Sequence, residues 1–278
     1  MTDAAANASQ MARCVDLPRI GAVCRLGLAT RGNTHLDEDD VWYAFERGVN
    51  YWNWCGHEDG LAAAARNLGK RRRDVVLAVQ LDVQTADDAS RAVERTLRQL
   101  GTDYIDVVTY YYVQSRRELE EILAHAHPVM RRLAAEGVVR AIGMTTHNRK
   151  LAAWACGTGE LDLLMVRFNP AHTGARRDVL PVALEQGIPV VAFTVTRWGQ
   201  LLRPIRARPG LVPLSAVECL RYVLAEPGVS VALSAPNGRA ELEQNLSLLE
   251  DWRPLSPEER CRVEAFGQEL YKRLPRFP

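Results

Sequence analysis

The chain has 278 residues, 47% of them hydrophobic and 25% charged, with 35 basic against 34 acidic side chains and a net charge of +1. This is the composition of a soluble globular protein of one or two domains, and so balanced a charge excludes bulk attraction to nucleic acid or to an anionic membrane. No apolar run approaches the roughly 20 residues of a membrane helix, and the start of the chain lacks the positive residues and apolar core of a secretory signal.

In chain order, residues 1–13 are small and polar and read as a disordered leader, which leaves 14–278 for the folded part. A strand is expected over 23–30 and a helix over 37–47, the latter with acidic residues in its first turn. The next strand, 49–54, runs into a polar loop and a helix over 61–68. Strand 75–80 is followed by helix 85–100, with Thr85 as its N-cap and Asp88 as the capping partner. Strand 106–112 leads to helix 118–136, which ends at Gly137, and strand 141–146 leads to a short helix over 150–156. Strand 161–169 precedes helix 176–186, strand 189–196 precedes helix 215–225, and strand 229–234 precedes helix 240–249. An amphipathic helix over 257–274 closes the chain.

The strands are continuous apolar runs, as parallel strands buried on both faces should be. Strict alternation of strand and helix argues for a parallel sheet, and eight units close an α/β fold of the (β/α)8 TIM-barrel type in a single domain. An open doubly wound sheet is the alternative, but neither GxGxxG nor GxxxxGK[ST] is present.

The six cysteines (Cys14, Cys24, Cys55, Cys156, Cys219 and Cys261) form no CxxC or CxxxC pair, which fits free thiols in a reducing, cytoplasmic setting. The six histidines form neither HxH nor HExxH, so no metal site is expected. The run Lys70-Arg71-Arg72-Arg73 lies between a helix and a strand and reads as a solvated loop.

In a barrel of this kind the strand C-termini converge on the active face. The densest of these ends carries Asn53, Trp54, Cys55, His57, Glu58 and Asp59. The other ends add Gln80, Asp82, Tyr110, Tyr111, Tyr112, Thr145, Thr146, His147, Arg167, Asn169, His172, Thr194, Thr196, Arg197 and Trp198. Tyr111 is the tyrosine expected to face the pocket, or else to fill the barrel. Arg167 stands in an otherwise apolar strand, where a charge needs either an ion-pair partner or an anionic ligand. His57 and His172 read as acid/base groups or as plain loop histidines. Trp54 and Trp198 suit a flat or apolar ligand, or simple packing.

Five segments add a resemblance. They are Gly48-Val49-Asn50, Leu100-Gly101-Thr102-Asp103-Tyr104-Ile105-Asp106, Gly137-Val138-Val139-Arg140-Ala141-Ile142-Gly143, Gly187-Ile188-Pro189-Val190-Val191-Ala192-Phe193 and Glu241-Leu242-Glu243-Gln244-Asn245-Leu246. In that order, over roughly residues 20–250, the chain resembles the aldo-keto reductase family. The resemblance implies a (β/α)8 barrel that binds NADPH and reduces carbonyls with an Asp/Tyr/Lys/His tetrad. Placed on this sequence, the tetrad falls on Asn53, Glu58, Gln80 and Tyr111, so the charged relay that tunes a catalytic phenol is expected to be missing. The cofactor positions fall on Thr145, Thr146, Met165, Phe193 and Thr194, with Arg239 and Asn245 at the phosphate end.

Three readings follow. One is an NAD(P)H-dependent oxidoreductase of small carbonyls or alcohols, with Glu58, Tyr111 or His57 as an unusual proton donor. Glu58 is expected to sit against Trp54 in apolar surroundings that raise its pKa. Another is a cofactor-independent lyase, isomerase or cyclase acting on an anionic substrate held by Arg167, and the last is a non-catalytic binding protein.

Overall fold

The computed structural model describes residues 12–30 and 34–274. Eight parallel strands close a barrel in the order β10-β3-β4-β5-β6-β7-β8-β9. They are β3 (Leu26–Ala29), β4 (Tyr51–Trp54), β5 (Val76–Leu81), β6 (Ile105–Tyr110), β7 (Val139–Thr146), β8 (Leu163–Arg167), β9 (Val190–Phe193) and β10 (Val229–Ser234). Helices surround them: α1 (Glu38–Phe45), α2 (Gly60–Arg66), α3 (Ala86–Leu100), α4 (Arg116–His125), α5 (His127–Ala135), α6 (Arg149–Cys156), α7 (Ala175–Asp178), α8 (Leu180–Glu185), α9 (Ala216–Leu224), α10 (Arg239–Leu246) and α11 (Pro257–Arg273).

Side chains alternate along each strand, so the barrel has two cores. Tyr51, Ala78, Val107, Ala141, Leu163, Met165, Val191 and Val231 fill the interior. Their sequence neighbours Trp52, Leu77, Val79, Val108, Ile142, Leu164 and Val166 pack outward against the helices. Each large side chain buried in this way contributes about 1.5–3 kcal/mol. Crowding at the wall explains Gly143: a Cβ there would lie 2.6 Å from the Leu163 carbonyl oxygen.

Several expectations need correction. The segment 23–30 is not one strand. Its first part belongs to β2 (Gly21–Cys24), which pairs antiparallel with β1 (Cys14–Leu17), and only β3 joins the barrel. This hairpin packs Leu17 and Val23 into the interior core, so it plugs the N-terminal end of the barrel. Helix 118–136 is two helices because Pro128 opens α5 and cannot continue the hydrogen bonding of α4, and Pro181 likewise separates α8 from α7. Of the expected leader, residues 1–11 lie outside the described residues, and Ala12 and Arg13 are held: Arg25 donates to the Ala12 carbonyl at 3.2 Å, and Arg13 to that of Arg47 at 2.9 Å.

The N-terminal face is tied by a charge knot. Asp106, on β6, is fully buried and accepts from Arg72 at 2.8 Å, from Arg140 at 3.0 Å and from the Leu77 amide at 2.9 Å. The Tyr104 ring lies between both guanidiniums, 3.8 Å from Arg72 and 4.4 Å from Arg140. The basic run therefore is not a solvated loop throughout. It forms a 3-10 turn, Gly69–Asp74, that delivers Arg72 to Asp106.

Candidate active site

Closure of a parallel barrel brings the ends of β4, β5, β6 and β8 to one rim, and with them Asn53, Gln80, Tyr111 and Arg167. Below the mouth, the interior is polar around a sulfur. The Thr145 hydroxyl reaches Thr109 Oγ1 at 3.3 Å, and Met165 Sδ accepts from Thr145 at 3.6 Å, Gln80 at 3.8 Å and Thr109 at 3.9 Å. Asn53 is 1% exposed and turns its amide nitrogen to Cys55 Sγ at 3.6 Å. Gln80 turns instead to Met165 and shares no hydrogen bond with Asn53. The Asn53 Oδ1 is buried without a hydrogen-bond partner, as are Oγ1 of Thr30 and Oγ1 of Thr194. Orphaned acceptors of this kind are costly in a closed interior.

Above them stands an aromatic and cationic rim. Tyr112 meets the His147 ring edge-on at 4.8 Å, and His147 in turn covers Phe193 at 5.2 Å. Arg167, at the end of β8, lies 3.3 Å from His147 Nδ1. Burial, and then the charge of Arg167, push His147 down to about 4. His172 receives the Arg197 Nε–H at 3.0 Å and is pushed down to about 3, first by burial and then by Arg167 and Arg197. Both imidazoles are therefore neutral at pH 7. A narrow cleft lined by Thr146, His147, Arg149, Arg167 and His172 opens beside them.

Tyr112, Thr194, Arg197 and Trp198 all have positive φ, 54°, 54°, 52° and 56°. Side chains rarely adopt this conformation, and it clusters at functional sites. The end of α11 forms one wall: Tyr271 is edge-on to His172 at 5.4 Å, and the Leu274 carbonyl accepts from Arg197 Nη2. Gly267 makes the approach possible, since a Cβ there would collide with the Pro170 carbonyl.

Several expected site residues lie elsewhere or are otherwise engaged. Glu58 is not in apolar surroundings: its side chain is 71% exposed, Arg66 Nη1 donates to it at 3.1 Å, and that pairing lowers its pKa instead of raising it. Trp54 is buried between barrel and helices, with its indole donating to the His57 carbonyl at 2.6 Å, so it cannot flank a ligand. His57 is exposed on the same loop as Glu58. Thr146 points outward and its hydroxyl accepts from the Asn148 amide at 2.9 Å, whereas Thr145 points inward. Asn169 is fully buried and braces backbone, donating to the Thr194 carbonyl at 2.9 Å and accepting from the Ala171 and His172 amides.

At the phosphate end, Arg239 pairs with Asp40 at 2.5 Å and lies over the Tyr43 ring, and Asn245 donates to Ser234 at 2.8 Å. Tyr111 and Trp198 stay at the rim, 50% and 44% exposed. Among the described residues no group of three or more His, Cys, Asp or Glu could hold a metal, and no helix is long and apolar enough to cross a membrane. Arg149 escaped notice in the sequence because it opens a helix. His147 and Arg197 were visible only as rim residues without a role.

A closed parallel barrel with a polar, strained C-terminal rim is the architecture of a (β/α)8 enzyme. Residues 27–209 match the model of the aldo/keto reductase family, and the chain belongs to that family. Curated relatives are dehydrogenases and reductases of low identity. The chain is 27% identical over 252 residues to D-threo-aldose 1-dehydrogenase of a Pseudomonas species, covering 75% of this chain and 74% of that one. It is 25% identical over 171 residues to the NADH-specific methylglyoxal reductase of Escherichia coli K12, covering 62% of this chain and 47% of that one. An aldo/keto reductase of Klebsiella pneumoniae, solved with NADP and acetate, superposes with a TM-score of 0.75 at 20% identity over 92% of this chain and 95% of that one.

Proposed function

We propose that the protein is an NAD(P)H-dependent oxidoreductase of small carbonyls or alcohols whose proton donor is Tyr112. The observation that carries this reading is the placement of Tyr112. It is held in a strained left-handed conformation at the rim, against His147 and within electrostatic reach of Arg167. The guanidinium lies where it can stabilise the negative charge that develops as the phenol gives up its proton. Glu58, as an ionised partner of Arg66, is a poor acid at neutral pH.

The orphaned Thr30, Asn53 and Thr194 oxygens at the mouth fit a polar ligand, and we take that ligand to be the nicotinamide nucleotide. When bound, it supplies or takes up a hydride. Thr194 and Asn53 would hold its polar edges, Phe193 its flat face, and Arg239 with Asn245 its phosphate end, at the start of α10. Tyr112→Phe should lower kcat by about 10²–10⁴-fold while NADPH affinity changes little, the typical worth of an acid–base group. Tyr111→Phe, His57→Gln and Glu58→Gln should leave kcat nearly intact. If Glu58→Gln or His57→Gln abolishes turnover and Tyr112→Phe does not, the assignment is wrong.

A second reading is favoured by one contact. His147 already covers the Phe193 face on which a nicotinamide would stack. A cofactor-independent lyase, isomerase or cyclase with His147 as base would leave that contact in place. Quenching of NADPH fluorescence by the purified protein separates the two: saturable binding supports the oxidoreductase, and none supports the other.

A further inference from the structure

We propose that Cys14 and Cys24 form an oxidisable dithiol site, which a low-molecular-weight disulfide such as glutathione disulfide converts into a cross-strand disulfide that staples the β1–β2 hairpin at the N-terminal end of the barrel. Both thiols are free in the structure. The site lies at the end of the barrel opposite the candidate active site and does not depend on the reaction catalysed there.

The ladder sets the two residues face to face. β1 and β2 pair antiparallel, with Cys14 directly opposite Cys24. In such a ladder, pairs joined by backbone hydrogen bonds alternate with pairs that are not. The Arg25 amide donates to the Arg13 carbonyl at 3.0 Å, so Arg13 and Arg25 are a bonded pair, and their neighbours Cys14 and Cys24 form a non-bonded one. The Cys24 amide accordingly turns away from β1 and donates to Asn50 Oδ1 at 2.8 Å. Non-bonded partners have Cα atoms about 4.5 Å apart and side chains close together on one face. Disulfides span Cα separations of about 4.4–6.8 Å, so the pair stands within their reach. The other four cysteines lie on helices or loops, where no ladder sets one against another: Cys55 follows β4, Cys156 ends α6, Cys219 is on α9 and Cys261 is on α11.

Exposure decides the order of the steps. Cys14 is exposed, whereas Cys24 is 2% exposed. The Cys14 thiolate attacks one sulfur of glutathione disulfide, forms a mixed disulfide and expels one glutathione thiolate. Cys24 then gives up its proton, attacks the Cys14 sulfur and expels the second glutathione thiolate. Two protein thiols are thereby oxidised, one reagent disulfide is reduced to two thiols, and the two protons end on glutathione. Burial raises the Cys24 pKa, a hydrogen bond with the Leu26 backbone opposes this, charge on Cys14 adds to it and the Arg13 guanidinium opposes it. The mixed disulfide removes the Cys14 charge, and Arg13 remains to stabilise the Cys24 thiolate as it forms. The closed bond joins the two strands that carry Leu17 and Val23 into the barrel interior, so it holds the plug together.

The test treats the full chain with glutathione disulfide, or with reduced glutathione as a control, then blocks the remaining thiols and digests with trypsin without reduction. Arg19 lies between the two cysteines, so cleavage leaves residues 14–19 and 20–25 as separate peptides that only the disulfide can join. We expect mass spectrometry to show this linked pair, two hydrogens lighter than the separate peptides, as the main product, and dithiothreitol to reverse it. Oxidation should lower the unfolding equilibrium constant about tenfold or more in a denaturant titration. Cys24→Ser should leave glutathione on Cys14 as a lasting mixed disulfide, and Cys14→Ser should prevent reaction at Cys24. Should Cys24→Ser fail to fold, Cys14→Ser, at an exposed position, decides in its place. A glutathione adduct that persists on wild-type Cys14 overturns the pairing. So does no reaction at either cysteine, or linkage of Cys14 to another cysteine or to a second copy of the chain. A linked pair whose stability is unchanged or lowered overturns the staple.

Discussion

The two ends of the barrel treat buried charge in opposite ways. At the N-terminal face two arginines converge on Asp106, and the backbone amide of Leu77 completes the carboxylate's hydrogen bonds. At the C-terminal face Arg149, Arg167 and Arg197 converge on two neutral histidines, and the charges that press on Arg167 most are those of Arg149 and Arg197. Both ends gather guanidiniums from separate strand–helix units. At the first the centre is a buried carboxylate, whereas at the second, among the described residues, Arg149 pairs with the surface Asp178 and Arg197 with His172 and the Leu274 carbonyl. In (β/α)8 barrels the N-terminal face serves stability and the C-terminal face carries the active site, and the contrast follows that division.

The sharpest way to break this comparison is to remove the carboxylate. Asp106→Ala leaves Arg72 half-buried beside a vacant site and frees the Leu77 amide. Removing one partner of a buried pair costs about 3–5 kcal/mol. A denaturant titration should therefore show a large loss of stability, with NADPH affinity unchanged in the folded fraction. If Asp106→Ala instead weakens ligand binding while leaving stability intact, the faces have been assigned the wrong way round.

A smaller effect is expected where the two functions meet. Gly267 lets α11 lie on the loop after β8, and α11 carries Tyr271 to His172 and Leu274 to Arg197. Gly267→Ala forces a methyl against the Pro170 carbonyl, and overpacking of this kind costs about 1–3 kcal/mol. The shift should also move Tyr271 from His172 and Leu274 from Arg197, so turnover should fall together with thermal stability. A variant that loses stability but turns over as before would separate α11 from the site.

Much of the scaffold was legible in the chain because parallel strands buried on both faces leave long apolar runs. Gly48 also marks the turn before β4, where its φ of 91° favours glycine. The β1–β2 hairpin was not legible, since two four-residue strands carry too little pattern to separate from the strand that follows. At the site, parity held information that went unused. Asn53 and Thr145 face inward, so their neighbours Trp54 and Thr146 face away from the barrel interior, Thr146 onto the cleft beside it. The pairing of Glu58 with Arg66 joins a loop to the helix after it, and no local spacing rule covers that contact. Convergence of Arg149, Arg167 and Arg197 depends on barrel closure, which no single segment displays.

The smallest effect, and the most specific to the cationic face, concerns pH. His147 and His172 titrate near 4 and 3 in the folded chain, below the ordinary 6.5, because burial and then neighbouring arginines oppose their protonation. Between those values and 6.5 the unfolded chain binds more protons than the folded one. Stability from these two groups is therefore complete above pH 6.5 and is lost as pH falls through the interval towards 3. Carboxylates held low by ion pairs, such as Glu259 at about 2, also lose their contribution in acid, but lower on the scale, mainly below pH 4.5. The window from 6.5 to 5 therefore isolates the histidines, among them His127, whose pKa burial also lowers. His172→Gln keeps an oxygen that can accept from Arg197 Nε but has no proton to gain, so its stability should fall less than that of the wild type across this window. Parallel profiles for wild type and His172→Gln would mean that His172 protonates freely in the folded chain, and the contrast between the two faces would lose its electrostatic basis.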